Sequence, residues 1–208
     1  MFKLYDFKQD KLLKGITDPE VQGGVCVALC DHWFQGLREH PKIAPDMRLQ
    51  VLAGQLNEVI MYQKRYGRQR ALDGPVIARQ DQAQRLGLQY TEQTTIMRNP
   101  LGQPRIAGLT GTRGIRDRLM EDLERPFSGA VWSMRFSQAG GGGGHALAGY
   151  NMLASAAENL HSMELHVFDP NIGEYVGEMG GLDAILADIF GKFPDYDHVE
   201  EVRRATEA

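Results

Sequence analysis

Three short stretches of the chain carry the residue types that acyl-transfer chemistry needs. Gly23-Gly24-Val25-Cys26-Val27-Ala28-Leu29-Cys30 sets a thiol where two glycines give way to an apolar run. Gly143-Gly144-His145-Ala146-Leu147-Ala148 offers an imidazole, and Val167-Phe168-Asp169-Pro170-Asn171 a carboxylate. A thiol attacks a carbonyl as its thiolate, and an imidazole that accepts its proton leaves a thiolate–imidazolium pair. A carboxylate on the other ring nitrogen fixes tautomer and orientation. The expected roles are therefore Cys26 as nucleophile, His145 as base and acid, and Asp169 as orienter. A tetrahedral intermediate also needs donors for its oxyanion. The Cys26 N–H supplies one, and Gln22, four residues upstream, is the side-chain amide placed to supply a second.

These residues need elements that hold them. Val25, Ala28, Leu29 and Trp33 recur at helical spacing, so Cys26 stands at a helix N-terminus, where the dipole favours a thiolate. Pro41 and Pro45 close that helix. Asp46 reads as the N-cap of a second helix running to about Gly67, with Leu49, Leu52, Leu56, Val59 and Ile60 on its inner face. A strand at 2–7, a short helix near 76–86, a strand near 90–97 and a helix over 113–124 capped by Thr112 complete the first part. Strands then follow at 128–137, 145–153, 163–168 and 174–178, with a last helix at 181–192 and a charged tail from Asp195 that should fray. His145 thus begins a strand behind the glycine run 140–144, and Asp169 ends one. Pro170 keeps Asp169 in extended backbone geometry. Helices first and an antiparallel sheet afterwards make an α+β arrangement.

Composition narrows the function classes. The 208 residues are 42% hydrophobic and 24% charged, ordinary for a globular chain with one core. A net charge of −4 argues against a nucleic-acid binder that relies on a basic surface. The basic run Lys64-Arg65-Tyr66-Gly67-Arg68-Gln69-Arg70 reads as a solvated helix end. No window reaches the apolar length of a membrane span, and Met1–Phe7 lacks a secretory h-region. The expectation is a soluble chain that starts where it is written, with no room before Cys26 for a large targeting region. Two cysteines make no disulfide framework.

Other constellations are weaker. Cys26, Cys30 and His32 lack the ligands of a closed zinc centre, so no metal or cofactor is expected. Cys30 should pack one turn beneath Cys26. Gly108–Gly114 and the pentaglycine are not followed by the Gly-Lys-Ser/Thr of a phosphate loop; the pentaglycine reads as a flap beside His145. Taken singly, a buried cysteine, a core histidine and an Asp-Pro turn each have a structural reading. Their joint occurrence in this order favours a site.

Gly24-Val25-Cys26-Val27-Ala28-Leu29 with Trp33, Gly144-His145-Ala146-Leu147-Ala148, and Phe168-Asp169-Pro170-Asn171-Ile172-Gly173-Glu174-Tyr175 resemble the nucleophile, histidine and aspartate segments of the YopT/AvrPphB family of bacterial effector cysteine proteases. The resemblance implies a single papain-like catalytic domain over 1–208, with a helical part to about 126, a sheet part over 127–194 and a tail over 195–208. It implies a Cys26-His145-Asp169 triad that cleaves a host protein after delivery by a specialised, non-Sec secretion system, with a secretion chaperone or adaptor as partner on that route. The spacing from His145 to Asp169, 24 residues, is longer than the family leads one to expect and places an insertion or longer hairpin at 151–162. The same triad also serves acyl transfer or glutamine deamidation, and an inactive descendant would be a binding module working through its 72–110 region. The residues leave these alternatives open.

Overall fold

The computed structural model describes residues 1–21, 23–96, 119, 121–125, 127–136, 143–153, 163–192 and 199–207. Seven strands form one antiparallel sheet: β1 (Phe2–Asp6), β2 (Tyr90–Ile96), β3 (Gly129–Phe136), β4 (Gly143–Leu153), β5 (Met163–Asp169), β6 (Gly173–Glu178) and β7 (Val199–Glu207). Their order across the sheet is β1-β6-β5-β4-β3-β7-β2. The helices are α1 (Gln9–Leu12), α2 (Cys26–Glu39), α3 (Pro45–Gly54), α4 (Leu56–Asp73), α5 (Pro75–Arg85) and α6 (Leu182–Lys192).

Strand alternation gives the sheet two buried faces. Val131, Ala146, Ala148 and Phe168 join the core built with α2 to α5, where Leu29, Trp33, Phe34, Leu37, Leu52, Val59 and Tyr62 are buried. Their chain neighbours Ala130, Trp132, Leu147 and Val167 face the opposite way, into a core with Leu182, Ile185, Leu186 and Ile189 of α6 and with Leu119 and Leu123. The sheet is thus covered on both sides. The α+β class holds, as three layers rather than helices on one face.

Local differences have local causes. The helix expected from 46 to 67 is two helices, α3 and α4, parted at Gln55, whose N–H is shared between the carbonyls of Val51 and Leu52. Ala44 rather than Asp46 occupies the N-cap of α3, because Pro45 has no N–H to give and suits the first helical position. Past Gly67, α4 continues to Asp73 and stops at Gly74, whose φ of +85° only glycine adopts readily. The tail does not fray: Val199–Glu207 pairs with β3 on one side and β2 on the other, so its backbone groups are satisfied from both edges. The sheet therefore reaches beyond the expected 127–194, taking β1 and β2 from the first half of the chain and β7 from the tail. Of the helix expected over 113–124, residues 119 and 121–123 are helical; the remainder up to 118, with Thr112, lies outside the described residues.

Two buried ionic knots tie the layers together. Asp31 of α2 accepts two bonds from the Arg79 guanidinium, both at 2.6 Å, and one each from the hydroxyls of Tyr62 at 2.6 Å and Tyr90 at 3.1 Å. Glu174 of β6 accepts from Trp33 Nε1 at 2.9 Å, from Arg48 Nε and Nη2 at 3.2 and 2.8 Å, and bonds His166 Nδ1 at 2.7 Å. Burial opposes the Glu174 charge, but His166 and Arg48 overcome it and hold the carboxyl below its ordinary range. Through Trp33 and Arg48 this carboxylate clamps α2 and α3 to the β5–β6 hairpin.

Candidate active site

Cys26 is the first residue of α2, and the turn before it is built for close approach. Gly24 sits at φ +96°, and Val25, the N-cap, has no side-chain acceptor for the helix start. Long-range amides take that part. The Val25 N–H donates to Gln9 Oε1 at 3.1 Å, and the Ala28 N–H to Gln63 Oε1 at 3.3 Å. Between them stand the N–H groups of Cys26 and Val27, which have no acceptor within the helix.

The imidazole arrives from β4, which lies against α2. Register pairs Ala148 with Phe168, so Leu147 stands opposite Asp169 at the end of β5, and β4 runs on past that end. His145 therefore overhangs the turn that follows Asp169. There its Nε2 bonds Asp169 Oδ1 at 2.9 Å. The same carboxylate oxygen accepts the Asn171 N–H at 2.7 Å, which pins the carboxylate within its own turn. Cys26 lies within reach of the same imidazole and, after Asp169, favours its protonated form. His145 and Asp169 are 6% and 0% exposed, so this polar line is largely shielded from solvent.

Burial is the strongest influence on His145 and disfavours the charged ring. The charge and hydrogen bond of Asp169, then those of Cys26, override it and push the imidazole up to about 10. Asp169 first and Cys26 after it thus favour the protonated ring against its burial. Cys30 lies one turn below Cys26, fully buried, and burial pushes its thiol well above the ordinary range. It is a packing residue.

The Phe168–Glu174 run explains itself residue by residue. The Phe168 ring stacks on Trp33 at 5.4 Å between centroids and 14° between planes. Asp169 holds His145, Gly173 has φ +140° with space for a Cβ only 2.0 Å from the Tyr5 carbonyl oxygen, and Glu174 bonds the Trp33 indole. One heptapeptide thus orients His145 and anchors the helix that carries Cys26.

The structure brings Cys26, His145 and Asp169 near one another. Gln22, the expected second oxyanion donor, lies outside the described residues, as do Gly108–Gly114 and Gly140–Gly142 of the pentaglycine; Gly143 and Gly144 open β4. The extra length expected at 151–162 begins in β4, which extends to Leu153, while 154–162 is likewise outside. Within the basic run, Lys64 and Arg68 are not simply solvated: they pair with Asp18 and Glu20, fastening the segment that leads to Cys26 onto α4. Sequence reasoning missed Gln9, Gln63, Arg48 and Glu174. Only Asp31, a single carboxylate in an otherwise apolar helical run, carried a signal of burial.

Among the described residues, no three His, Cys, Asp or Glu side chains gather as a metal would require, and no helix is long and apolar enough to cross a membrane. The fold is that of the papain-like cysteine proteases. It matches the crystal structure of the Pseudomonas avirulence protein AvrPphB with a TM-score of 0.65, over 92% of this chain and 95% of that one, at 13% identity. PatoxP, a cysteine protease-like domain of the Photorhabdus asymbiotica toxin PaTox, aligns at a TM-score of 0.45 and 11% identity, covering 99% of this chain and 53% of that one. No family model and no curated protein sequence matches the chain. The likeness is one of fold, and the fold is the one that the YopT/AvrPphB-like motifs imply.

Proposed function

We propose that this chain is a cysteine endopeptidase with Cys26 as nucleophile, His145 as base and acid, and Asp169 as orienter. The observation that carries the proposal is the hydrogen bond from Asp169 to a buried His145 whose ring is within reach of a thiol on the first residue of a helix. The Cys26 thiolate adds to the scissile carbonyl, and the Cys26 N–H faces the developing oxyanion, with the Gln22 amide as second donor. The imidazolium gives its proton to the departing amine as the peptide C–N bond breaks and a thioester remains. His145 then takes a proton from water, whose hydroxide displaces the Cys26 sulfur, releasing a carboxylic acid and restoring the pair. The route calls for no cofactor.

The likeness to an avirulence protein supports a bacterial effector exported by a specialised system that acts on a protein of a host. The whole of 1–208 serves as one catalytic domain in this reading. The test is exposure of a host-cell lysate to wild-type protein and to Cys26→Ala, with mass spectrometry of new N-termini. New termini that need Cys26 support a peptidase. Conversion of glutamine to glutamate without chain cleavage assigns the triad to deamidation instead. Neither change, with iodoacetamide labelling of Cys26 only in the ordinary thiol range near pH 8.5, leaves a binding module.

A further inference from the structure

The N-terminal segment enters the site through one side chain. Gln9 opens α1 and is 8% exposed. Its backbone N–H donates to the Pro170 carbonyl at 2.8 Å, as the Phe7 N–H does to Ile172 at 3.0 Å, so the segment is laced to the turn that follows Asp169. The side-chain amide then reaches two ways. Oε1 accepts the Val25 N–H at 3.1 Å, and Nε2 donates to Asn171 Oδ1 at 2.6 Å. A Cβ at Gly24 would make van der Waals contact with Gln9 Oε1 at 3.4 Å, so this amide lies directly against the backbone turn before Cys26.

We infer that Gln9 is a positioning residue that sets the nucleophile against the base: its amide bridges the residue before Cys26 to the turn that carries Asp169. Cys26 and His145 reach the site on separate elements, α2 and β4, and Asp169 arrives on a third. The fold brings these elements near one another through large apolar contacts, which tolerate small sliding. A buried amide with one acceptor and one donor, each fixed in direction, removes that freedom. A carboxylate at this place would have no proton for Asn171 Oδ1, and an alkyl side chain would leave the Val25 N–H without its acceptor. Gln9 acts through Val25 and Asn171, on groups adjoining the triad.

This inference rests on the protease reading, and its test separates the two. The rate of iodoacetamide labelling of Cys26, mapped by mass spectrometry, is measured against pH for wild type, Gln9→Ala, Asn171→Ala, the double variant and His145→Ala, each alongside its thermal midpoint. The expected result is labelling of wild type near pH 6 that depends on His145, slowed by about tenfold in Gln9→Ala, the scale of one lost buried hydrogen bond. Asn171→Ala keeps the backbone N–H that binds Asp169 and should slow labelling in the same direction. The double variant should be no slower than Gln9→Ala, since both substitutions cut one link. A lowered thermal midpoint with the wild-type labelling profile overturns the inference and leaves Gln9 a stability residue. If Gln9→Ala does not fold, Asn171→Ala decides the matter by the same criterion. Loss of His145 dependence in wild type itself overturns the protease reading and with it this one.

Discussion

Replacing Asp169 by asparagine keeps the shape of the side chain and an oxygen for its hydrogen bonds to His145 and Asn171, and removes the charge. The structure allows the effect to be bounded. His145 is raised from its ordinary 6.5 to about 10, with burial, the strongest influence, acting downward. Among the influences that oppose burial, the Asp169 charge ranks first, ahead of the Asp169 hydrogen bond and of Cys26. Removing that charge while keeping the hydrogen bond turns a charge-assisted bond into a neutral one, a loss of roughly 1–2 kcal/mol from the imidazolium and so of about tenfold or more in the thiolate–imidazolium pair against its neutral form. The assay is the second-order rate of iodoacetamide labelling at Cys26 from about pH 5 to 9, with cleavage kinetics on any substrate found. Asp169→Asn should label at least about tenfold more slowly near pH 6 and converge on wild type at high pH. Its kcat/KM should fall by at least the same factor, mainly through kcat. A rate profile that superimposes on wild type would refute the argument that the Asp169 charge sustains the pair.

Other substitutions test the surrounding assignments. Cys26→Ala should abolish labelling and cleavage and His145→Ala nearly so, whereas Cys30→Ala should leave labelling at Cys26 intact and lower stability by about 1 kcal/mol, read from denaturant midpoints. Gly173→Ala should cost roughly 3 kcal/mol or prevent folding, because its Cβ would fall 2.0 Å from the Tyr5 carbonyl oxygen at a φ of +140°; thermal melting checks this. Glu174→Gln should destabilise by about 3 kcal/mol, since Arg48 would stay buried without its counter-charge. Because the Glu174 carboxyl is held below its ordinary value of 4.5, its contribution is present above that pH and is lost as pH falls through the folded-state value. Wild type should accordingly lose stability more steeply than Glu174→Gln on acidification below about pH 4.5, measured by urea midpoints.

Much of the candidate site was legible because its residues announce themselves locally. Cys26 opens an apolar helical run after two glycines, Asp169 precedes a proline at a strand end, and β3 to β6 show in the alternation and turn residues between 128 and 178. Helical period, strand period and turn chemistry are set by neighbours in sequence, so the sequence by itself determined the α+β class, the three chemical groups and their order along the chain. The break at Gln55 and the pairing of Val199–Glu207 were not legible, the first because one inner-face periodicity spans both helices, the second because a strand of charged residues gains its stability from partners on either side. Tertiary structure alone decided that β4 overhangs β5 so that His145 meets Asp169, that Asp169 favours the protonated ring against its burial, and that Gln9, Gln63 and Glu174 hold the frame. Those outcomes depend on hydrogen bonds between residues up to 162 positions apart, whose geometry and desolvation exist only once the sheet and α2 have packed.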